Sequence, residues 1–188
     1  MKHLILFFSA AVFLIFAESA VSAQQIVYAD ASAFPLYGKV SEDTDGRYER
    51  LPSHLKTVSR EPVWYLGRNS AGLYIRFRSN STSIHLRWES MFNNSMTHMT
   101  DTGTKGLDLY ALQDGEWRHV CSAQPQGKKS ERAVIRYMDP IEREYMLYLS
   151  LYDGISSLEI GVDEGASLDM PAVDSPSSER PVVMYGSS

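Results

Sequence analysis

The sequence LYIRFRSNSTSIHLRWE, residues 73–89, decides the fold class. Apolar and polar residues alternate along both of its halves, which is typical of β-strands that have one face on a core. The Ser- and Asn-rich segment 79–82 between the halves has the composition of a turn. The stretch therefore predicts an antiparallel hairpin over residues 72–89.

The same alternation recurs along the following 80 or so residues, punctuated by turn clusters at residues 113–115, 124–129 and 152–154. Outside the first segment, no run of ten residues has helical spacing. The pattern predicts an all-β fold, a jelly-roll-like antiparallel β-sandwich over residues 24–162. The alternating apolar sets are Leu107/Leu109/Ala111, Val134/Ile135/Tyr137, Tyr145/Leu147/Leu149 and Leu158/Ile160/Val162.

Composition excludes several classes of protein. The chain has 188 residues, 44% hydrophobic residues and a formal charge of −5, which is typical of a globular domain and gives no support for nucleic-acid binding. A single cysteine, Cys121, excludes an intrachain disulfide framework and Cys-based zinc modules. The histidines lack metal-ligand spacing and no glycine-rich phosphate loop is present, so we predict no metal and no cofactor.

The first 23 residues predict a signal peptide. A short basic start at Met1-Lys2-His3 precedes an apolar run from Leu4 to Ala17, and Val21-Ser22-Ala23 offers small residues for cleavage after Ala23. The alternative is a membrane anchor, but this run is shorter than the roughly 20 residues of a spanning helix. We therefore expect a secreted or periplasmic protein, with no membrane segment after cleavage.

The character of the chain changes after Val162. Residues 163–180 are acidic and contain prolines, which predicts a solvated linker. The apolar run Pro181–Tyr185 then lacks alternation, as strands buried on both faces do, and Gly186-Ser187-Ser188 follows it. Residues 181–188 therefore predict the truncated first strand of an α/β domain. A serine at the carboxyl end of such a strand is a candidate nucleophile.

Two groups within the predicted sandwich are candidates for function. Asp108 and Tyr110 share the strand face opposite Leu107 and Leu109. They form either a structural hydrogen-bonded pair or part of an interface. His98 lies in a long polar loop, residues 91–104, where it either lines a shared cleft or fixes the loop by a hydrogen bond.

Arginine and aromatic residues suggest a second kind of site. In the predicted hairpin, Arg76 and Arg87 share one face with Tyr74 and His85, an arrangement that binds sugars or acidic groups or is simply a solvated surface. Trp64 is a further candidate for stacking on a sugar, with core packing as the alternative.

The segment Gly106-Leu107-Asp108-Leu109-Tyr110 resembles the Gly-x-Asp-Leu-Tyr signature of a known β-sandwich. This sandwich precedes SGNH-type (GDSL-like) esterase domains in secreted bacterial proteins. The resemblance extends over about residues 55–188, because other segments match the family pattern in the same order. These segments are 63–64, 70–73, 76–77, 96–99, 148–154, 157–161 and 182–188.

The resemblance implies a function for the whole protein. The chain would be the N-terminal accessory domain of a secreted SGNH-type esterase, and its partner would be its own C-terminal SGNH domain, absent from this sequence. Ser188 would be the nucleophile, with Ser187 where many GDSL enzymes carry Asp. The oxyanion and Asp-His blocks are missing, so we expect the chain alone to be inactive. The expected substrate is an acyl ester, for example on a carbohydrate.

The alternative interpretation is a free-standing carbohydrate-binding β-sandwich without catalysis, because three tryptophans and eleven tyrosines could stack on sugar rings.

Overall fold

A computed structural model describes residues 24–172 as nine β-strands in two antiparallel sheets. One sheet has four strands in the order β1-β9-β4-β7, and the other has five strands in the order β2-β3-β8-β5-β6. The strands are β1 Ile26–Asp30, β2 Leu36–Tyr37, β3 Tyr74–Ser79, β4 Ile84–Ser90, β5 Leu107–Gln113, β6 Glu116–Ala123, β7 Lys129–Ile135, β8 Arg143–Tyr148 and β9 Ile155–Asp163.

One hydrophobic core lies between the two sheets. Every second residue of the central strands faces it, as the pleat of a β-strand requires. Phe77 on β3 stacks on Tyr145 on β8 with ring centroids 5.1 Å apart. The four-stranded sheet contributes Leu86 and Ile160, both fully buried. The prediction of an all-β antiparallel sandwich is confirmed.

The predicted hairpin over residues 72–89 is wrong. β3 belongs to the five-stranded sheet, where it pairs with β2 and β8, whereas β4 belongs to the four-stranded sheet, where it pairs with β9 and β7. The connection is therefore an arch that crosses from one sheet to the other. Arg76 and Arg87 consequently lie on different sheets and do not share a face with one another, contrary to the prediction.

The carboxylate of Asp163, the last residue of β9, holds this arch. Its Oδ2 accepts hydrogen bonds from the Ser81 and Thr82 hydroxyls at 2.9 and 2.6 Å, and its Oδ1 accepts one from the Ser83 hydroxyl at 2.6 Å. The backbone N–H groups of Thr82 and Ser83 also donate to Oδ2. Serines and threonines that suggested a hairpin turn thus bind a distant strand.

Short helical segments fill the connections. α1 (Glu61–Gly67) and α2 (Asp101–Lys105) are single short helices, and 3-10 turns occupy Ala31–Ala33 and Ser53–Thr57. The Thr100 hydroxyl caps α2 by accepting a hydrogen bond from the Gly103 N–H. All four are shorter than ten residues, in line with the absence of a long helical pattern in the sequence.

The sandwich extends further along the chain than the sequence pattern indicated. The predicted linker begins at residue 163, but Asp163 is buried and belongs to β9. Asp169 then makes a backbone pair with Arg78 of β3. The predicted signal peptide (1–23), the end of the predicted linker and the predicted strand 181–188 lie outside the described residues.

Across residues 24–172, none of the helices is both long enough and apolar enough to pass through a membrane.

Candidate functional site

A row of aromatic side chains crosses the outer face of the five-stranded sheet. It runs from β2 to β6, with one ring from each strand. The ring centroids are 5.2 Å apart for Tyr37 and Tyr74, 5.0 Å for Tyr74 and Tyr148, 5.6 Å for Tyr148 and Tyr110, and 5.3 Å for Tyr110 and His119. These distances match the spacing of neighbouring strands, so the row follows directly from strand pairing.

Neighbouring rings of this row pack against one another. Tyr37 and Tyr74 lie nearly parallel, with an interplanar angle of 15°, and Tyr110 meets Tyr148 edge to face. Burial raises the pKa of Tyr148, and the neighbouring Tyr74 and Tyr110 add to the effect. The Tyr148 hydroxyl therefore stays protonated at neutral pH and remains a hydrogen-bond donor.

Arg76 of β3 lies within this aromatic layer and is only 3% exposed. Its guanidinium carbon is 5.7 Å from the ring centroid of Tyr37 and 5.2 Å from that of Trp117. Its Nη2 lies 3.9 Å from Glu144 Oε2 on β8, and Glu144 is itself buried. The planar cation thus packs against aromatic rings and is neutralised by a neighbouring carboxylate.

A cavity of about 330 Å³ lies beside this layer. Its walls are mainly aromatic and aliphatic, and Asp108 supplies a carboxylate. The Ser122 hydroxyl donates a hydrogen bond of 2.5 Å to Asp108 Oδ1, and His119 Nε2 lies 4.0 Å from the same oxygen. The cavity suits apolar groups, with one acidic acceptor at its wall. Its main lining residues are Asp108, Tyr110, Trp117, Met146, Tyr148 and Leu151.

The structure brings together some of the predicted site residues and separates others. Arg76, Asp108 and Tyr110 all belong to the outer face of the five-stranded sheet. His98 is exposed at the tip of a turn closed by a backbone bridge between Met96 and Met99, and it does not line the cavity. Ser188 lies outside the described residues.

Trp64 also lies away from this cavity. It is half-buried on α1, where the Lys56 ammonium lies 5.9 Å from its ring centroid.

The loop that carries His98 is anchored by a buried lysine. Lys105, at the end of α2, is 2% exposed, and its ammonium donates to Asn93 Oδ1 at 2.8 Å and to Ser95 Oγ at 3.3 Å. Asp101 supplies the counter-charge at 3.2 Å. This lysine fixes the loop against the sandwich, and the following Gly106 begins the approach to β5.

The outer face of the four-stranded sheet is polar. Arg87 pairs with Glu131 at 3.0 Å, and its guanidinium carbon lies 3.5 Å from the ring centroid of Tyr28. Burial and the hydrogen bond to Glu131 raise the pKa of Tyr28 to about 12. Ion pairs of this kind are typical of a solvated surface.

Metal-ligand clusters are absent from residues 24–172, since no three His, Cys, Asp or Glu side chains there are placed to hold an ion. The Cys121 thiol donates to the Val134 carbonyl at 2.9 Å, and burial raises its pKa. This thiol stays protonated at neutral pH and lacks the properties of a reactive cysteine.

Comparison with known families settles the class of this sandwich. Residues 26–168 match the family described as GxDLY, the N-terminus of SGNH-hydrolase-type esterases. The chain belongs to the GxDLY family. The GxDLY segment is residues 106–110, at the start of β5.

Solved structures agree with this assignment. A protein named as a putative GDSL-like lipase from Bacteroides ovatus is 34% identical over 78% of this chain, with a TM-score of 0.74. The salicylyl-acyltransferase SsfX3 from a tetracycline biosynthetic pathway is 18% identical over 81% of the chain, with a TM-score of 0.55, and shares the fold. This GxDLY chain spans 43% of the length of each. No curated protein matches it significantly.

The GxDLY segment divides its side chains between the core and the cavity. Leu107 and Leu109 are fully buried in the core, whereas Asp108 and Tyr110 line the cavity on the outer face. Gly106 has no room for a side chain, because a Cβ would lie 2.3 Å from the Thr102 carbonyl oxygen. The segment therefore joins the anchored loop to the wall of the cavity.

The sequence marked tryptophans and tyrosines as possible stacking residues but did not indicate which of them lie together at this site. Tyr37, Tyr148 and Trp117 come from three different strands, and nothing in the sequence fixes the order of those strands in the sheet. A usable pattern was present, since Tyr74, Tyr110 and Tyr148 each alternate with core residues of their own strand. Outward-facing tyrosines on successive strands indicate a shared surface once the strands are known to pair.

Proposed function

We propose that this GxDLY domain is the N-terminal accessory domain of an exported SGNH-type esterase and that it packs on the catalytic domain and forms part of its cleft. The observation that carries the proposal is the family match over residues 26–168, whose description names the N-terminus of an esterase. The 34% identity to a GDSL-like lipase supports the same conclusion, because the present chain matches less than half of the length of that protein.

The proposed reaction is ester hydrolysis with Ser188 as nucleophile. Its hydroxyl oxygen bonds to the carbonyl carbon of the ester while a base on the catalytic domain takes its proton and passes it to the departing alcohol. Water then attacks the acyl-enzyme, which releases the carboxylic acid and restores the serine. The base and the oxyanion donors come from the catalytic domain, and we propose acyl groups on a carbohydrate as the substrate.

Hydrolysis of p-nitrophenyl acetate tests this proposal. We expect no turnover by the 188-residue chain and clear turnover by a polypeptide that carries this domain together with its esterase domain. In that longer polypeptide, Ser188→Ala should reduce the activity by a factor of about 10³ or more. The matched control Ser187→Ala should retain most of the activity. Activity of the 188-residue chain, or a longer polypeptide unaffected by Ser188→Ala, would contradict the proposal.

Export is the second part of the proposal and rests on residues 1–23. Expression of the whole chain in a bacterium should place the protein in the periplasm or the medium, with Gln24 as its first residue by N-terminal sequencing. An intact Met1 on a membrane-bound product would show that the segment is an anchor instead.

A carbohydrate-binding module is the second candidate function, and the tyrosine row on the five-stranded sheet is the observation that favours it. Affinity electrophoresis on a series of polysaccharides separates the two candidates. Retardation of the 188-residue chain that is lost in Tyr110→Ala, but kept in the opposite-face control Tyr28→Ala, would favour the binding module. Unretarded migration on every polysaccharide would favour the accessory role.

A further inference from the structure

The last described residues lie on the outer face of the five-stranded sheet. β9 is in the other sheet, but the chain then crosses to β3, where Arg78 and Asp169 exchange backbone hydrogen bonds of 2.9 and 2.8 Å. Three residues later the Ala172 N–H donates to the Glu144 carboxylate at 2.5 Å. The Glu144 side chain projects opposite the core residue Tyr145, so residue 172 lies over the outer face.

The cavity on this outer face has a more apolar lining than the hollows on the outer face of the four-stranded sheet. The face carries the tyrosine row, the 330 Å³ cavity and, at the cavity wall, Leu151, which is 50% exposed. The outer face of the four-stranded sheet also has hollows, of about 370 and 540 Å³, but charged side chains line them, including the ion pairs Arg87–Glu131 and Lys129–Glu89. The five-stranded sheet carries the ion pairs Arg76–Glu144, which is buried, and Arg78–Glu142, but neither lines the 330 Å³ cavity. An apolar surface with a cavity is typical of an interface, whereas paired charges are typical of a face in water.

The geometry of the rings favours a protein over a sugar as occupant. A sugar ring stacks on a free aromatic face, but the facing sides of Tyr37 and Tyr74 pack on each other and Trp117 packs on the Arg76 guanidinium. These contacts leave fewer ring faces free for stacking, and the surface adds a recess. Such a surface is complementary to apolar side chains of a neighbouring domain.

We propose that the outer face of the five-stranded sheet, from Tyr37 across to Trp117 and Leu151, is the docking surface for the SGNH esterase domain. Apolar side chains of that domain fill the cavity between Tyr110 and Tyr148. This inference rests on the proposed function and adds to it the surface that is used. Because only about nine residues separate residue 172 from the expected start of the esterase domain at residue 181, the effective concentration of that domain at this face is high and a contact of modest area suffices.

Hydroxyl-radical footprinting tests the surface directly, since it reports how accessible each side chain is to water. The 188-residue chain is compared with the longer polypeptide that carries the esterase domain. We expect oxidation of Tyr110, Trp117 and Leu151 to fall at least threefold in the longer polypeptide. Tyr28, on the outer face of the four-stranded sheet, serves as the internal control and should be oxidised equally in both.

A substitution at an exposed position adds a second readout with little risk to folding. Leu151→Lys in the longer polypeptide should restore oxidation of Tyr110 and Trp117 toward the level of the 188-residue chain. Ser157→Lys, at an exposed position on the outer face of the four-stranded sheet, is the control and should leave the protection intact. Unchanged melting temperatures of both variants in the 188-residue chain show that the domain itself is unaffected.

The outcomes separate this inference from the proposed function. Protection confined to another surface, such as the face around Tyr28 and His85, overturns the docking surface and leaves the accessory role standing. The absence of new protection anywhere in an active longer polypeptide overturns the docking surface and the packing role together. Protection of Tyr110 and Trp117 by a polysaccharide added to the 188-residue chain shows a sugar site and also overturns the inference.

Discussion

The Asp163 carboxylate accepts two hydrogen bonds from Thr82, one from its backbone N–H at 2.8 Å and one from its hydroxyl at 2.6 Å. Thr82 lies at the top of the arch between the sheets, and Asp163 ends the central strand β9. This single buried carboxylate therefore fixes the crossing of the chain from one sheet to the other.

Removing the charge of Asp163 should destabilise the domain. In Asp163→Asn one oxygen becomes an N–H₂ group that faces hydroxyl and amide donors, so several charge-assisted hydrogen bonds are lost. We expect the free energy of unfolding to fall by about 3 kcal/mol. Urea denaturation at pH 7 measures this loss, and Asp169→Asn, at an exposed position, is the control. A loss below 1 kcal/mol would show that the arch does not depend on this carboxylate.

The same site should make stability depend on pH. Burial opposes ionisation of Asp163, but hydrogen bonds from Ser83, Thr82 and Ser81 outweigh it and lower the pKa of the carboxyl below its usual value of 3.8. The unfolded chain binds this proton more readily, so the stabilisation is present above about pH 4 and is lost as pH falls through the lower, folded pKa. The urea midpoints of wild type and Asp163→Asn should differ by a constant amount between pH 5 and 7 and approach each other as pH falls below about 4. Parallel curves would contradict the assignment.

Tyr28 should make the stability of the domain fall as pH rises at high pH, the opposite of the effect of Asp163. Its folded pKa is raised to about 12 from 10, so between these values the unfolded chain loses the proton while the folded chain keeps it. Stability from this group is present below pH 10 and declines as pH rises toward 12. The stability difference between wild type and Tyr28→Phe should therefore shrink from pH 9 to pH 11 in urea unfolding. A difference between wild type and Tyr28→Phe that stays constant across this range would contradict the assignment.

Gly106 should tolerate no side chain. A Cβ there would lie 2.3 Å from the Thr102 carbonyl oxygen and 2.8 Å from that of Ala123, both of which are backbone atoms that cannot move aside alone. We expect Gly106→Ala to cost about 3 kcal/mol in thermal or urea unfolding. In the control Gly103→Ala, the atoms nearest to the new methyl belong to the flexible Met99 side chain, at 3.1 and 3.3 Å, and the change in stability should stay within about 1 kcal/mol. Equal effects of the two would refute the steric argument.

Tyr137 is a site where substitution should stabilise the protein. It is 95% exposed and has φ of 62°, a left-handed conformation that costs a tyrosine energy and is better tolerated by asparagine. Tyr137→Asn should raise the free energy of unfolding by about 0.5 kcal/mol, and Tyr137→Val should lower it, because a β-branched residue fits this conformation worst. Calorimetric melting temperatures distinguish the two, and a reversed order would contradict the prediction.

The strands were predictable from the sequence, but their partners were not. Alternation correctly indicated that Leu73, Ile75 and Phe77 face the core, as do Ile84, Leu86 and Trp88. The hairpin prediction failed because alternation is the same whether two strands pair side by side or face each other across a core. The arch is decided by Asp163, about 80 residues away, and a local pattern carries no information about so distant a hydrogen-bond acceptor.

The candidate site was predictable only in part for the same reason. The outward direction of Asp108 and Tyr110 follows from their alternation with Leu107 and Leu109. The position of Trp117 beside Arg76 depends on the strand order β3-β8-β5-β6. That order is set by pairing between strands that are distant in the sequence. His98 and Trp64 stood out as residue types, but their placement depends on loop and helix contacts that leave no periodic pattern.

The pairing of β1 with β9 has a consequence for how the chain folds during synthesis. Ile26 lies opposite Asp163, so within residues 24–172 the first strand pairs only with the last one. β9 lies between β1 and β4 in the sheet. Until residue 163 has left the ribosome, β9 is incomplete and the four-stranded sheet cannot assemble. Contacts between such distant residues slow folding. We therefore expect the domain to fold late and in one step, after its whole length is available.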